Sequence, residues 1–234
     1  MIRRMSFLSA MLSFLIFIRL SVMQAQENPK WYHFETEVKK MDVLKSEFGK
    51  NKKLPAGFEL QALIALSYYP ELRDEHVVFV QKKAAIPYAS RPGIFSLLNP
   101  FSKKKYRVII STKTNALRTP TLLENLDFNA QIGALGHELA HTAYYYKTRK
   151  LKILVNGIQY LDRSFEGKFE KMTDRIAIGH GLGTQIYTWC KAIFPVKKRD
   201  GKRSEIYYPP KAIFELLDPA SKELVNAQAF HAKE

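Results

Sequence analysis

Within the stretch IGALGHELAHTAYYY, residues 132–146, two histidines stand four apart with a glutamate directly after the first. If the three act together, the spacing demands a helix. Positions i and i+4 stack on one helical face, so the imidazoles of His137 and His141 converge on one point. Neutral imidazole nitrogens suit zinc at about 2.0–2.1 Å. Glu138 sits roughly 100° further round the helix, close enough to take a proton from a water held there without itself ligating. Ile132, Leu135 and Leu139 give this helix an apolar face, while Gly133, Gly136 and Ala140 leave room for another element to approach closely. The plain alternative is a helix that carries two ordinary histidines.

A metal would need a third protein ligand. The metzincin pattern is closed, because Lys147 stands where that pattern needs histidine and Tyr144 where it needs glycine. A second helix offers another route. FEGKFEKMTDRIAIGHG places Glu166, Glu170 and Asp174 at successive i+4 positions, among Phe165, Phe169, Met172, Ile176 and Ile178. Such a stripe could be a solvated acidic face, but acids beside an apolar stripe usually have a partner. A metal with two histidines would be a suitable one.

HELAH followed by EKMTD resembles the gluzincin metallopeptidases, the thermolysin-like clan of zinc proteases, and in particular compact exported minigluzincin-type proteins of Bacteroidetes. TDRIAI resembles the ADRIA continuation seen in membrane-linked and minimal members. The likeness covers about residues 106–190. It implies Zn2+ held by His137, His141 and Glu170, with Glu138 as general base and Asp174 orienting a ligand histidine from behind. It also implies an edge strand just before the active-site helix, a place taken here by YRVIIST (106–112), where a peptide could add as a further strand. Asn115, in TNALR at the end of that strand, would hold the substrate backbone, with Asn129-Ala130 as a competing pair. For the oxyanion the resemblance points downstream of the third ligand, to His180 as the catalytic candidate, with Tyr187 and Arg175 as alternatives. The activity implied is hydrolysis of peptide bonds in a peptide or protein substrate, by an endopeptidase rather than an exopeptidase. A catalytically silent metal-binding or peptide-binding envelope protein is the rival reading.

The rest of the chain sets the frame. Its 234 residues suffice for one sizeable core, and 46% apolar with 25% charged residues is ordinary globular composition. The net charge of +15 suggests an acidic partner, an anionic envelope surface or an acidic substrate. No nucleic-acid module is visible. Residues 1–26 read as a signal peptide, with Arg3 and Arg4 before the apolar FLSAMLSFLIFI and small-residue cleavage positions near Ala25. This predicts an exported protein, periplasmic or secreted, with the possibility of membrane association. Cys190 is the only cysteine, so no intrachain disulfide can form. Residues 27–234 read as a single domain, with 27–55 a candidate propeptide. Periodicity predicts a helix over 58–72, strands over 76–83 and 106–112, an irregular connection over 87–105, and helices from Pro120 onward with an N-cap at Asp127. Gly179, Gly181 and Gly183 mark a bend or a close approach. The fold class expected is α+β and zincin-like: a small sheet whose edge strand packs on the HELAH helix, and a second helix bearing the third ligand.

Overall fold

The computed structural model describes residues 29–99, 101–201 and 205–231; the expected signal peptide lies outside them. The fold is α+β, a four-stranded mixed open sheet with several helices. The strands are β1 (Lys52–Lys53), β2 (Val77–Lys83), β3 (Tyr88–Pro92) and β4 (Tyr106–Lys113), in the order β1-β2-β4-β3. β1 and β4 flank β2 in parallel, and β3 closes the sheet antiparallel to β4. Helices are α1 (Phe34–Glu37), α2 (Met41–Phe48), α3 (Glu59–Ser67), α4 (Ile94–Leu98), α5 (Phe128–Lys147), α6 (Lys150–Gln159), α7 (Arg163–Ala177), α8 (Gly183–Arg199), α9 (Pro210–Leu216) and α10 (Pro219–His231). Among the described residues no helix is long and apolar enough to cross a membrane.

Two expectations about strands need correction. YRVIIST does not form the edge strand: β4 is paired on both sides, with β2 and with β3. The edge belongs to β3, inside the stretch expected to be irregular. Pro87, Pro92 and Gly93 hid it, yet they fit it. Ser111 N donates to the Pro87 carbonyl (2.8 Å) and Gly93 N to the Lys105 carbonyl (2.7 Å). Antiparallel pairing alternates, so Ala89 and Arg91 also face β4, while Tyr88, Ser90 and Pro92 turn their main-chain groups to the open side. Pro92 therefore loses no ladder bond, which is why an edge strand tolerates it.

The core forms between the sheet and the helices packed on it. α3 is buried from Leu60 through Leu66, and each large side chain removed from water there contributes about 1.5–3 kcal/mol. α5 is buried from Asn129 to Ala143 and packs on α3, β3, α7 and α8. Its N-terminus is capped by Asp127, whose Oδ1 accepts from Ala130 N (2.8 Å), as the sequence predicts. The close approach expected at the small residues is with α8. A methyl group on Gly133 would stand 2.1 Å from the Gln185 carbonyl oxygen, and one on Gly136 would stand 2.5 Å from the Leu182 side chain. The bend between α7 and α8 falls at Gly181, whose φ of +95° suits glycine. Residues 30–53, within the candidate propeptide, are part of the body of the fold. They supply β1 and the buried Tyr32, which exchanges two hydrogen bonds with the Asn129 side chain (3.0 and 2.9 Å).

A candidate metal centre

α5 and α7 bring His137, His141 and Glu170 together, each of them buried, with one ligand atom from each lying within 4.8 Å of the others. His137 Nε2 is 3.1 Å from Glu170 Oε2, and His141 Nε2 is 3.6 Å from Glu170 Oε1. The opposite ring nitrogens are spoken for. His137 Nδ1 donates to Asp174 Oδ1 at 2.8 Å. Thr173 Oγ1 lies 3.1 Å from His141 Nδ1 and gives its own proton to the Phe169 carbonyl at 2.9 Å. It therefore accepts from the His141 Nδ1–H. With Nδ1 of each ring held as a donor, Nε2 is the nitrogen each imidazole would offer to a ligand once deprotonated, and both Nε2 atoms face Glu170. This donor set is compatible with a metal ion. The packing holds it rigidly: His141 stacks on Phe169, with centroids 5.3 Å apart, and the Trp189 ring lies 4.8 Å from that of His137. The Tyr160 hydroxyl donates to Glu170 Oε1.

The electrostatics follow from burial and neighbours. Burial alone would lower the His137 pKa, but its hydrogen bonds to Asp174 and Glu170 outweigh this and raise it to about 10. Burial would raise Glu170, yet His141 and His137 hold its carboxyl well below the ordinary range. Glu138 goes the other way, its pKa raised by burial against the pull of the two histidines. Its Oε2 is buried without a hydrogen-bond partner in the protein. A buried carboxylate oxygen without a partner among the described residues, beside His137, His141 and Glu170, is a polar atom available to a bound group.

All four of these residues line a cavity of about 920 Å³. Its rim includes the free edge of β3 from Tyr88 to Pro92, and Ser90 Oγ ties that strand to Thr142 of α5 at 2.8 Å. Sequence reasoning missed several members. Trp189 lines the cavity with its Nε1 buried and unpartnered. Lys197 lies one helical stretch further along α8, its ammonium 2.9 Å from the centroid of the Tyr207 ring and 4.9 Å from that of Trp189. Burial lowers its pKa to about 8, against the nearby charges of Asp174, Glu170 and Glu138. Arg118 and Asp200 pair at 2.7 Å on the same wall. No local spacing connects these residues to HELAH; only the α5–α8 packing does.

Two of the expected residues lie elsewhere. His180 is not among the residues lining the cavity. It stacks on Tyr69 with centroids 4.7 Å apart, donates from Nδ1 to the Ile176 carbonyl (2.8 Å) and meets Glu71 Oε1 at 3.1 Å. The bend at Gly181 turns it to the far side of α5, beside Lys147. Its alternatives fare no better: Arg175 lies over the Tyr208 ring, and Tyr187 packs against Phe214. Asn115 does not line the cavity either. Its Oδ1 accepts from Arg118 N at 3.0 Å and closes the turn after β4. That strand is internal, so its end does not border the open edge. Asn129, the competing asparagine, is buried against Tyr32.

Compared with family models, curated proteins and solved structures, the chain matches none.

Proposed function

We propose that this chain is a zinc-dependent peptidase of gluzincin type with a zincin-like arrangement of strand and helices. The observation that carries the reading is the tautomer control at His137 and His141: each Nδ1 is bound from behind, by Asp174 and Thr173, and each Nε2 faces Glu170. His137, His141 and Glu170 would hold the ion, and three protein ligands leave one position open, as in catalytic sites. Bound there, zinc would polarise a substrate carbonyl and acidify a water.

The protein's own groups supply the remaining functions. Glu138, made more basic by burial, would accept a proton from the attacking water and return it to the leaving amine. The open edge of β3 offers the N–H and C=O of Tyr88 and Ser90 to an extended peptide, which supports an endopeptidase binding by strand addition. With His180 and Asn115 facing other partners, two donors that line the cavity are Trp189 Nε1, unpartnered among the described residues, and the Lys197 ammonium over the Tyr207 and Trp189 rings. Lys197 also puts a specific residue behind the acidic-substrate preference that the net charge suggests. Lys197→Met should remove about tenfold of any preference for acidic over neutral peptides.

The direct test measures zinc content and hydrolysis of a peptide library by the wild type, Glu138→Gln and Glu170→Ala. One zinc per wild-type chain, kept in Glu138→Gln and lost in Glu170→Ala, with hydrolysis by the wild type alone, supports the proposal. Metal bound by the wild type with no peptide cleaved favours a silent metal-binding protein. Equal zinc in the wild type and Glu170→Ala removes the three-ligand site.

A further inference from the structure

The outer wall of the cavity carries an apolar surface that the peptidase reading does not use. α4 and the loop after it expose Ile94 (57%), Phe95 (86%), Leu98 (63%) and Phe101 (97%). α6 packs beside them and exposes Leu151 (74%), Val155 and Ile158 (72%), at i, i+4 and i+7 along its outward face. Its opposite face buries Ile153 and Asn156. Lys150 fastens the two pieces, donating to the carbonyls of Asn99 (2.5 Å) and Ser102 (2.6 Å). Scattered exposed apolar residues are normal, but a contiguous set on adjacent elements marks a contact surface.

The charge carried by these two elements and the loop between them and the strands is positive, with Asp162 just past the end of α6 the nearest acid in sequence. Residues 76–123 contain no acid, and neither do residues 139–161. Exposed Lys103, Lys105, Arg149 and Lys152 border the apolar side chains. Apolar side chains ringed by cations complement an anionic lipid surface, where aromatic and aliphatic groups enter the headgroup boundary and lysines meet the phosphates. A protein partner or a second copy of the chain would more often present carboxylates to such a rim, whereas the acidic residues of this chain lie largely in other segments.

We propose that the α4–α6 face docks this protein on anionic bilayers, with Phe95, Phe101, Leu151 and Ile158 entering the lipid and the flanking lysines holding the headgroups. The cavity, lined in part by Ile94, Leu97, Ile153 and Ile158, then lies beside the membrane, and substrates would be segments held near a lipid surface. This docking does not depend on the proposed chemistry of the metal site.

The test is co-sedimentation of the full chain with vesicles of phosphatidylcholine alone or mixed with phosphatidylglycerol. It compares the wild type with a variant carrying Phe95→Ser, Phe101→Ser, Leu151→Ser and Ile158→Ser, and with Lys103→Glu/Lys105→Glu. The wild type should prefer the anionic vesicles and lose affinity as salt rises. The serine variant should bind at least about tenfold more weakly, and the charge reversal should abolish the lipid preference. Both variants should keep the wild-type zinc content and melting temperature, because the replaced side chains are exposed. Binding by the serine variant equal to the wild type, or no wild-type binding to anionic vesicles, would overturn the proposal. So would wild-type self-association in sedimentation equilibrium that the same serine variant abolishes, since the face would then belong to a second copy.

Discussion

On the floor of the cavity His137 and His141 each have an acceptor at the rear nitrogen, Glu170 is bonded by Tyr160, and the helices beneath approach so closely that Gly133 has no room for a methyl group. On the outer wall Phe95, Phe101 and Leu151 meet solvent over most of their surface, and the elements are joined chiefly through Lys150. The floor fixes a few atoms in one geometry, and changes there should be costly. The wall offers area without geometry, so changes there should be felt only by whatever docks on it.

The largest effect should come from the floor's least satisfied member. Glu138→Gln removes the proton acceptor while keeping volume, and peptide hydrolysis should fall by about 10²–10⁴-fold with metal content unchanged. Gly133→Ala should come next. The added methyl meets the Gln185 carbonyl at 2.1 Å, a backbone atom that cannot rotate away, and overpacking of this kind costs about 1–3 kcal/mol, readable in denaturant titration. Asp174→Asn keeps the shape of the contact to His137 but weakens it, and metal affinity should fall about 10–100-fold in a competition titration.

A pH series separates floor from wall without mutation. In the metal-free protein His137 titrates at about 10, raised from 6.5 by Asp174 and Glu170 despite burial. A raised folded-state pKa contributes stability that is full below pH 6.5 and lost as pH rises through about 10. The melting temperature of stripped protein should therefore fall from about pH 6.5 to about 8, above which Lys197, lowered to about 8, opposes the loss. Metal binding displaces the same proton, so the stabilisation gained on loading should grow with pH. The smallest effect belongs to the wall: Leu151→Ser or Phe101→Ser should change stability by less than about 0.5 kcal/mol.

What was legible in the sequence follows the same division. His137 and His141 share one helical face with Glu138 about 100° round from it, and Glu170 and Asp174 share another, so periodicity exposes each group. The α+β class and most helices follow from the same patterns. Their meeting depends on α5 packing against α7, which no local spacing encodes. Trp189 and Lys197 reach the cavity through the packing of α8 on α5, and Tyr160 through its bond to Glu170, and nothing near them in the chain signals it. β3 escaped notice because Pro92 and Gly93 read as loop signals, although the proline sits where its missing N–H faces the open edge. His180 was misplaced because a glycine-rich turn announces that the chain bends but not in which direction. Gly181, with its positive φ, turns the chain just after His180, which faces Tyr69 and Glu71.

The clasp between Tyr32 and Asn129 sets a boundary for maturation. Asn129 lies two helical turns before His137 on α5, and its amide accepts from and donates to the main chain of Tyr32, while Gln185 of α8 holds the Lys30 carbonyl at 2.6 Å. A protease that shortens the chain from its N-terminal side could remove residues before this point and leave the helices anchored. One cut a few residues further in would untie the strap from both helices that floor the cavity. Any shortened form that keeps its activity should therefore begin no later than Lys30, and the N-terminal residue of the active species would read out that limit directly.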